Sequence, residues 1–404
     1  MTTAATTATT ATGPQAVRRL LPLLRERAEE AERGRRLPRD VATRMAEAGI
    51  FRMGVPRSLG GSESSLPEIL ETVEALATAD SAAAWCAMIG ATTGILAARL
   101  PGGWAQEIYG RNPLAITVGA IAPSGRAVPL VEGGVRVTGA WRWGSGIHVA
   151  DWVVGGTLFP AREDTAAGDA DSAGAKTGGV AKSPDVKIVF FRRQEVDIAD
   201  DWHTSGMRGT GSSSFRVEGV RVPHGRWASL EEEPREAGPL YRFNVWSLLA
   251  LGVAAVPLGI ARRALEEFLA LAAEKVPTGS RRTTSERAVV QRQVAEAEAA
   301  ISASRAFFYE STAAAWATAA SGGELSIAER AHLRLAATHA AHRCAAAVDL
   351  LYHAGGGSSV YEASFLQKAF RDVHVITQHL VVADRSMELL GRLRLGLDTD
   401  TRQL

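Results

Sequence analysis

The chain has few cysteines and no long apolar runs. Its 404 residues include two cysteines, Cys86 and Cys344, which are too few for a disulfide framework and indicate a reducing cytoplasm. No stretch of about 20 uninterrupted apolar residues is present, so we expect no membrane span. The Thr- and Ala-rich start lacks the charged and apolar regions of a signal peptide, which predicts a disordered tail over residues 1–14.

The chain also lacks a charge excess and the phosphate-binding and nucleophile motifs of several enzyme classes. Forty-five Lys and Arg residues balance 44 Asp and Glu residues, which argues against nucleic-acid binding. There is no GxxxxGK[ST] loop, no GxGxxG opening a βαβ unit and no GxSxG elbow. The chain therefore has no recognisable nicotinamide-binding unit. Arg far outnumbers Lys and Ala is abundant, a composition associated with GC-rich bacterial genomes.

Hydrophobic periodicity divides the chain into three domains, an α+β multidomain arrangement. Amphipathic stretches predict an N-terminal helical domain over 15–113, in which Ser65 and Glu68 have capping-box spacing and an almost wholly apolar helix follows Asp80. Alternating or β-branched runs over 114–226 predict a mainly antiparallel β domain or small barrel, with a mobile loop over about 161–184. The helical period then returns and predicts a C-terminal antiparallel four-helix bundle over 227–392, followed by a tail over 393–404.

A metal site is not indicated. His339, His342 and Cys344 share one helix at spacings that could reach a metal ion. Because no carboxylate or second cysteine accompanies them, we interpret them as residues of a packed or solvated helix face.

Three glycine-rich segments remain, and their order supports a family resemblance. They are GAWRWGSG at 139–146 followed by ADW, DW at 201–202 leading into GMRGTGS at 206–212, and AGGGS at 354–358 followed by Arg371-Asp372 and Gln378-His379. Within an α–β–α plan, this pattern resembles the acyl-CoA dehydrogenase superfamily over about residues 20–390. It is most similar to the flavin-dependent monooxygenase branch, the oxygenase components of two-component aromatic hydroxylases.

The resemblance implies a cofactor, a partner and a reaction. A separate NAD(P)H-dependent flavin reductase would supply reduced FAD or FMN, which would lie between the β domain and the bundle of a homotetramer or homodimer. With O2 the flavin would form a C4a-hydroperoxyflavin that hydroxylates an aromatic or heteroaromatic small molecule.

One departure separates this chain from the dehydrogenases of the superfamily. In those enzymes, a segment after an Arg-Asp pair carries the glutamate that removes the α-proton. Counting from Arg371-Asp372 places Leu380 at that position, and an apolar side chain cannot remove a proton. Some relatives carry the base on another helix, so an acyl-CoA dehydrogenase or oxidase with a displaced base stays open.

Two residues are the catalytic candidates that the resemblance implies. The imidazole of His379 could stabilise negative charge on the peroxide or donate a proton to it. The hydroxyl of Ser145 would lie at flavin N5 and restrain the N5 proton. The alternatives are a histidine satisfied by a neighbouring helix and an ordinary turn serine.

Further residues are candidates for holding the flavin. Trp143, two residues before Ser145 and expected on the same strand face, could pack on the isoalloxazine, as could Trp202; a core aromatic is the alternative for Trp143. The turn formed by Gly355, Gly356, Gly357 and Ser358 could bind the flavin phosphate through its N–H groups, or could simply join two helices. Arg281 and Arg282 resemble arginines that reach the phosphate across a subunit interface, and a solvated loop is their alternative.

The predicted substrate pocket has fewer polar groups than in related hydroxylases. Thr92 and Thr93 stand where a histidine is often found, and Gly119-Ala120 stand where a serine is often found. This favours a bulkier or less acidic substrate than a simple phenol. An N-hydroxylase of amines or amino sugars, and a non-catalytic binding protein on a decayed fold, are the remaining alternatives.

Overall fold

The N-terminal domain is helical, as predicted. The computed structural model describes residues 14–160 and 185–404, so the predicted loop over 161–184 and nearly all of the predicted tail lie outside the described residues. The Ser65 capping box is confirmed, because the Ser65 N–H donates to Glu68 Oε2 at 2.8 Å and the Glu68 N–H donates back to Ser65 Oγ. The helices are α1 Pro14–Gly34, α2 Arg39–Glu47, α3 Leu66–Ala77, α4 Ser81–Gly94 and α5 Gly102–Ala105.

The central domain is one sheet, mainly antiparallel as predicted. Its order over the described residues is β5-β6-β2-β1-β3-β4-β7, and the pair of β1 and β3 at its centre is parallel. β2 lies on one side of β1, and the chain then crosses to the other side of β1, where β3 runs in the same direction as β1. The strands are β1 Thr117–Pro129, β2 Val135–Gly144, β3 Trp152–Phe159, β4 Asp185–Arg192, β5 Asp197–Ile198, β6 Ser213–Val222 and β7 Trp227–Ser229.

Trp141 fixes the end of β2 that leads to the predicted site. Its ring fills a space bordered by Gly125, Gly139 and Gly155 on three adjacent strands, where any side chain would overlap the indole. The ring stacks on Phe215 at 5.1 Å between centroids, and Nε1 donates to the carbonyl of Gly156 at 2.8 Å. A buried indole with its N–H satisfied makes this strand end rigid.

The C-terminal domain is a helical bundle whose fourth member is broken. The last amphipathic stretch, expected as one long helix, forms α10 and α11 separated by a turn over 378–384. Val381 and Val382 in that turn are fully buried, so the chain leaves the helical path to pack them. His379 lies in the same turn. The helices are α6 Pro239–Arg242, α7 Val245–Glu274, α8 Ala288–Ala320, α9 Ile327–Gly355, α10 Phe365–Thr377 and α11 Arg385–Arg394.

Two helical segments are apolar and long enough to cross a membrane by composition alone. They are residues Ser81–Arg99 and Val245–Glu274, and 89% and 78% of their most apolar windows are buried inside the protein. Core helices meet the same criterion, and the burial accounts for their composition.

A cluster of buried charges joins the three domains. Asp372 of α10 is 1% exposed and accepts from Lys368 Nζ and Ser81 Oγ, both at 2.5 Å, and from the Met207 N–H at 2.6 Å. Lys368 also lies 3.7 Å from Asp80 Oδ1 at the start of α4 and 3.8 Å from Glu32 Oε2 of α1. These contacts fix the loop over 206–212 against α4 and α10.

Candidate active site

Trp85 links the two predicted catalytic residues. Its Nε1 donates to Ser145 Oγ at 2.9 Å, and its ring meets the His379 ring edge-on, with centroids 5.6 Å apart. The Asp80 side chain caps α4 by accepting the Ala83 N–H, which fixes the first turn of the helix that carries Trp85. The helical domain, the sheet and the bundle therefore each contribute one side chain to the cluster of Trp85, Ser145 and His379.

The backbone after β2 directs Ser145 into the protein. Gly144 ends the strand, the Ser145 N–H donates to the Trp143 carbonyl at 2.9 Å, and Gly146 has a left-handed φ of 75°. The Gly146 N–H donates to the Thr210 carbonyl at 2.8 Å, which joins this turn to the loop over 206–212. Ser145 is consequently 4% exposed, in a turn that suits glycine on either side.

The Ser145 hydroxyl belongs to a buried hydroxyl chain. Ser145 Oγ lies 2.7 Å from Ser212 Oγ, and Ser212 Oγ lies 2.6 Å from Thr210 Oγ1. The Thr210 hydroxyl in turn donates to the Met207 carbonyl at 2.8 Å. Through Met207 the hydroxyl chain is anchored to Asp372.

Trp143 is exposed, and the expectation that it shares a face with Ser145 is wrong. Strand alternation fails because the β2–β6 register shifts between Trp141 and Gly144, and Trp143 takes a left-handed φ of 65°. The side chain is 68% exposed, so the core alternative is also wrong for this residue. Trp141 is the core aromatic of this strand, and Trp143 presents a flat apolar surface beside the turn that holds Ser145.

His379 is a neutral imidazole held by its own turn. Its Nδ1 accepts the Val381 N–H at 3.4 Å, so the proton of the neutral ring lies on Nε2. Burial, reinforced by the positive charge of Arg334, lowers the pKa of His379 to about 4. At neutral pH the ring therefore offers an N–H donor without a positive charge.

This low pKa predicts how the stability of the fold depends on pH. An unfolded histidine has a pKa of about 6.5, so the unfolded chain binds more protons than the native state as pH falls from 6.5 to 4. His379 thus contributes stability that is complete above pH 6.5 and is lost on acidification, about 2 kcal/mol between pH 7 and pH 5. The difference in unfolding free energy between pH 7 and pH 5 should shrink by this amount in His379→Asn. His148, whose pKa burial also lowers to about 4, is retained in both proteins, so the comparison isolates His379.

No carboxylate replaces the missing dehydrogenase base at this cluster. Leu380, beside His379, is 38% exposed. Within residues 14–160 and 185–404, the hydrogen bonds of Trp85, Ser145 and His379 involve only serine, tryptophan and main-chain groups. The buried acids Asp80 and Asp372 are paired with Lys368.

The predicted phosphate-binding residues divide into two groups. The glycine turn follows α9, and Gly356 has φ 52° and ψ −139°, a conformation that favours glycine. Lys275, just after α7, donates from Nζ to the Gly355 carbonyl at 2.5 Å and places a cation beside this turn. Arg281 and Arg282 lie exposed in the loop between α7 and α8, and no bond joins them to the turn in the described chain.

The other predicted residues are held by bonds within the helical domain and the sheet. Trp202 donates from Nε1 to the Met207 carbonyl at 3.1 Å and so braces the loop over 206–212. The Thr92 hydroxyl bonds to carbonyls of its own helix, and the Thr93 hydroxyl reaches the Thr117 carbonyl of β1 at 2.5 Å. Ala120 lies on β1, opposite Gly155 of β3. Across the described residues no group of three His, Cys, Asp or Glu side chains could hold a metal ion.

Sequence reasoning missed three members of the site. Trp85 is the only large aromatic in a helix of small residues, and a buried indole needs a hydrogen-bond acceptor, which was a usable signal. Ser212 lies within a quoted motif but had no assigned role. Lys275 had no signal, because its contact with Gly355 spans 80 residues of sequence.

Comparisons with known proteins identify the family of the chain. Residues 251–384 match the acyl-CoA dehydrogenase C-terminal domain family, and residues 15–101 match the acyl-CoA dehydrogenase N-terminal domain family. Indole-3-acetate monooxygenase of Pseudomonas putida is 32% identical over 396 residues, covering 97% of this chain and 96% of the relative. The oxygenase subunit HsaA, a flavin-dependent monooxygenase of Mycobacterium tuberculosis, is 26% identical over 393 residues, covering 95% of each chain.

Solved structures share the fold over nearly the whole chain. The 3-HSA hydroxylase from Rhodococcus sp. RHA1 superposes with a TM-score of 0.84 at 25% identity, covering 96% of this chain and 98% of that one. XiaF from Streptomyces sp., solved with FADH2 and glycerol, gives a TM-score of 0.83 at 24% identity, covering 95% of each chain. TdsC from Paenibacillus sp. A11-2, solved with FMN and indole, gives 0.78 at 18% identity, covering 96% and 98%. The chain belongs to the acyl-CoA dehydrogenase superfamily and is a flavin-dependent monooxygenase within it.

Proposed function

We propose that this protein is the oxygenase component of a two-component system that hydroxylates an aromatic or heteroaromatic small molecule. It would take reduced FAD or FMN from a separate NAD(P)H-dependent reductase, since its own sequence has no nicotinamide-binding motif. The observation that carries the proposal is the cluster of Trp85, Ser145 and His379. It joins an imidazole, an indole and a hydroxyl beside Leu380, the position at which the family resemblance places the glutamate of a thioester-oxidising relative. A cytoplasmic setting suits its two free, buried cysteines and its need for a reductase.

The residues of the cluster fit the edge of a flavin. Trp143 offers a flat, exposed indole face beside Ser145, suited to a planar ring. When bound, a reduced flavin supplies the electrons that activate dioxygen. The Nε2–H of His379 would donate to negative charge that develops there, and a low-dielectric pocket strengthens such a bond. Ser145 would hold the proton at flavin N5.

The residues around the glycine turn fit a phosphate group. The ammonium of Lys275 stands beside the turn, and Gly357 has open space around it, although the Gly356 N–H itself donates to the His353 carbonyl. This turn and His379 lie at opposite ends of α10, whose 13 residues span about 20 Å. A second copy of the chain could bring its own turn, with Arg281 and Arg282, to the ring-binding cluster of the first. This supports a homodimer or homotetramer.

The substrate class follows from the residues that the family resemblance assigns to the substrate pocket. The hydroxyls of Thr92 and Thr93 are bonded to main-chain carbonyls, so in that pocket their methyl groups and Ala120 would leave an apolar wall. Such a wall favours an aromatic substrate over a highly charged one. The relatives named as an indole-3-acetate monooxygenase and as a 3-HSA hydroxylase are consistent with this class.

The proposal is tested by a direct search for an oxygenated product. Reduced FAD or FMN is mixed with the protein, oxygen and a panel of indole, indole-3-acetate, p-hydroxyphenylacetate and phenol, and products are analysed by mass spectrometry. We expect one added oxygen atom on at least one compound, only when reduced flavin is present. Tight binding of oxidised flavin that an acyl-CoA thioester reduces would instead identify a dehydrogenase. No product and no flavin binding would identify a non-catalytic protein.

The glycine turn provides a prediction with a matched control. In Gly356→Ala the backbone conformation becomes strained by about 1–3 kcal/mol, so the turn should change shape and its N–H groups should move. We expect the Kd for reduced flavin, measured anaerobically, to rise by about tenfold. Gly357→Ala is the control, because Gly357 has an unstrained φ and open space around it. Equal Kd values for the two variants would remove the turn from the flavin site.

A further inference from the structure

The hydroxyl chain behind Ser145 has only one consistent direction. The Met207 carbonyl can only accept, so the Thr210 hydroxyl gives it its proton at 2.8 Å. The Thr210 oxygen must then accept from Ser212 at 2.6 Å, and the Ser212 oxygen must accept from Ser145 at 2.7 Å. Each hydroxyl carries one proton, so every proton in the chain is assigned.

This direction leaves Ser145 with a single free lone pair. Its proton points to Ser212, and its oxygen already accepts the Trp85 Nε1–H at 2.9 Å. Ser145, Ser212 and Thr210 are each 4% exposed or less, which leaves little access for water that could reverse the chain. Towards a bound molecule, Ser145 can therefore accept a hydrogen bond but cannot donate one.

Charged groups hold Met207, the residue at the far end of the hydroxyl chain, in place. The Met207 N–H donates to Asp372 Oδ1 at 2.6 Å, and Lys368 holds Asp372. The Trp202 indole donates to the same Met207 carbonyl that receives the Thr210 proton. Met207 keeps a left-handed φ of 51°, which these contacts stabilise. The acceptor that sets the direction is thus held in place by residues of the bundle and of the β domain.

We propose that Ser212 and Thr210 are positioning residues that make Ser145 an obligatory acceptor, so that the site selects reduced over oxidised flavin. The inference rests on the proposed function, in which Ser145 lies at flavin N5. Reduced flavin carries an N–H at that atom and can donate to Ser145. Oxidised flavin offers only a lone pair there, so two acceptors would face each other and the bond would be lost.

Variants in which the direction of the hydroxyl chain is no longer fixed should be less selective for reduced flavin. In Thr210→Val, which preserves side-chain shape, Ser212 no longer has to donate to residue 210 and can donate to Ser145. The Ser145 proton is then free to turn towards the flavin. In Ser212→Ala the Ser145 proton loses its acceptor and becomes free in the same way. Both variants should bind oxidised flavin more tightly relative to reduced flavin.

The experiment measures Kd for oxidised and for photoreduced FAD and FMN, the latter anaerobically, in the full-length protein. We expect the ratio of Kd for oxidised to reduced flavin to fall about tenfold in Thr210→Val and Ser212→Ala. This corresponds to a midpoint potential of the bound flavin lower by about 30 mV. Ser212→Thr, which restores a hydroxyl, should recover the wild-type ratio. Thr312→Val is the control, a fully buried threonine bonded only within α8.

The outcomes separate this inference from the proposed function. If the wild type prefers reduced flavin and the folded Thr210→Val variant keeps its ratio within twofold, the inference is overturned and the proposed function stands. If the wild type binds neither flavin, both fail. Circular dichroism and melting temperature establish that each variant is folded before its Kd is compared.

Discussion

Replacing His379 by asparagine should slow product formation by about 100-fold and divert reduced flavin to free hydrogen peroxide. Among the described side chains of the cluster, Trp85 gives its N–H to Ser145, which leaves the Nε2–H of His379 as the uncharged donor for a bound molecule. The His379 ring packs against Trp85, with 5.6 Å between the ring centroids. A positioned proton donor contributes about 10²–10⁴-fold to rate. The asparagine side chain is shorter than the imidazole, so its N–H does not reach as far as the Nε2–H of His379. The measurement is product formed and peroxide released per reduced flavin consumed.

His374 supplies the matched control for this experiment. It lies on α10, five residues before His379, and its Nε2 pairs with Asp349 Oδ1 at 2.9 Å instead of facing Trp85. His374→Asn should keep the product yield within about twofold of wild type, because a half-exposed pair contributes little. Equal losses in the two variants, or no loss in His379→Asn, would exclude His379 from the reaction.

Replacing Asp372 by alanine should destabilise the fold by about 3–5 kcal/mol. The carboxylate is buried and accepts from Lys368, Ser81 and the Met207 N–H, so its removal strips Lys368 of its closest partner and leaves a buried N–H unpaired. Burial also raises the pKa of the neighbouring Asp80 carboxyl, so Asp80 is a poor substitute partner. Denaturant-induced unfolding followed by circular dichroism measures the loss.

Asp349→Ala tests whether the stability lost in Asp372→Ala arises from burial of the ion pair and not from charge alone. Asp349 also forms an ion pair on the bundle, with His374, but its side chain is 36% exposed. Partly exposed pairs contribute about 1 kcal/mol or less, so this variant should retain nearly the whole wild-type stability. A comparable loss in both variants would show that the cluster around Asp372 has no special part in joining the domains.

The elements that rest on local sequence were predictable. The Ser65 capping box, the buried helix after Asp80 and the alternating strands are encoded by neighbouring residues, and each occurs where expected. Leu380 could be placed by counting from Arg371-Asp372, because that distance lies within one segment. The family resemblance supplied the roles of His379 and Ser145, which spacing alone would not assign.

The features that depend on tertiary contacts were not predictable. Trp143 breaks strand alternation through a left-handed backbone, and Val381 and Val382 break the last helix because the bundle buries them. The Ser145–Ser212 bond joins residues 67 positions apart, and the Trp85–Ser145 bond joins residues 60 apart. A single sequence does not show that these distant residues are bonded to each other, although both bonds involve the predicted catalytic residue Ser145.

The most direct test of the account is a crystal structure of the protein with reduced flavin bound under anaerobic conditions. We expect the reactive edge of the isoalloxazine to lie against the cluster, with Ser145 Oγ accepting from the flavin N5–H and the His379 ring facing the same edge. A flavin ring seated elsewhere, or a carboxylate at its edge with His379 turned away, would contradict it.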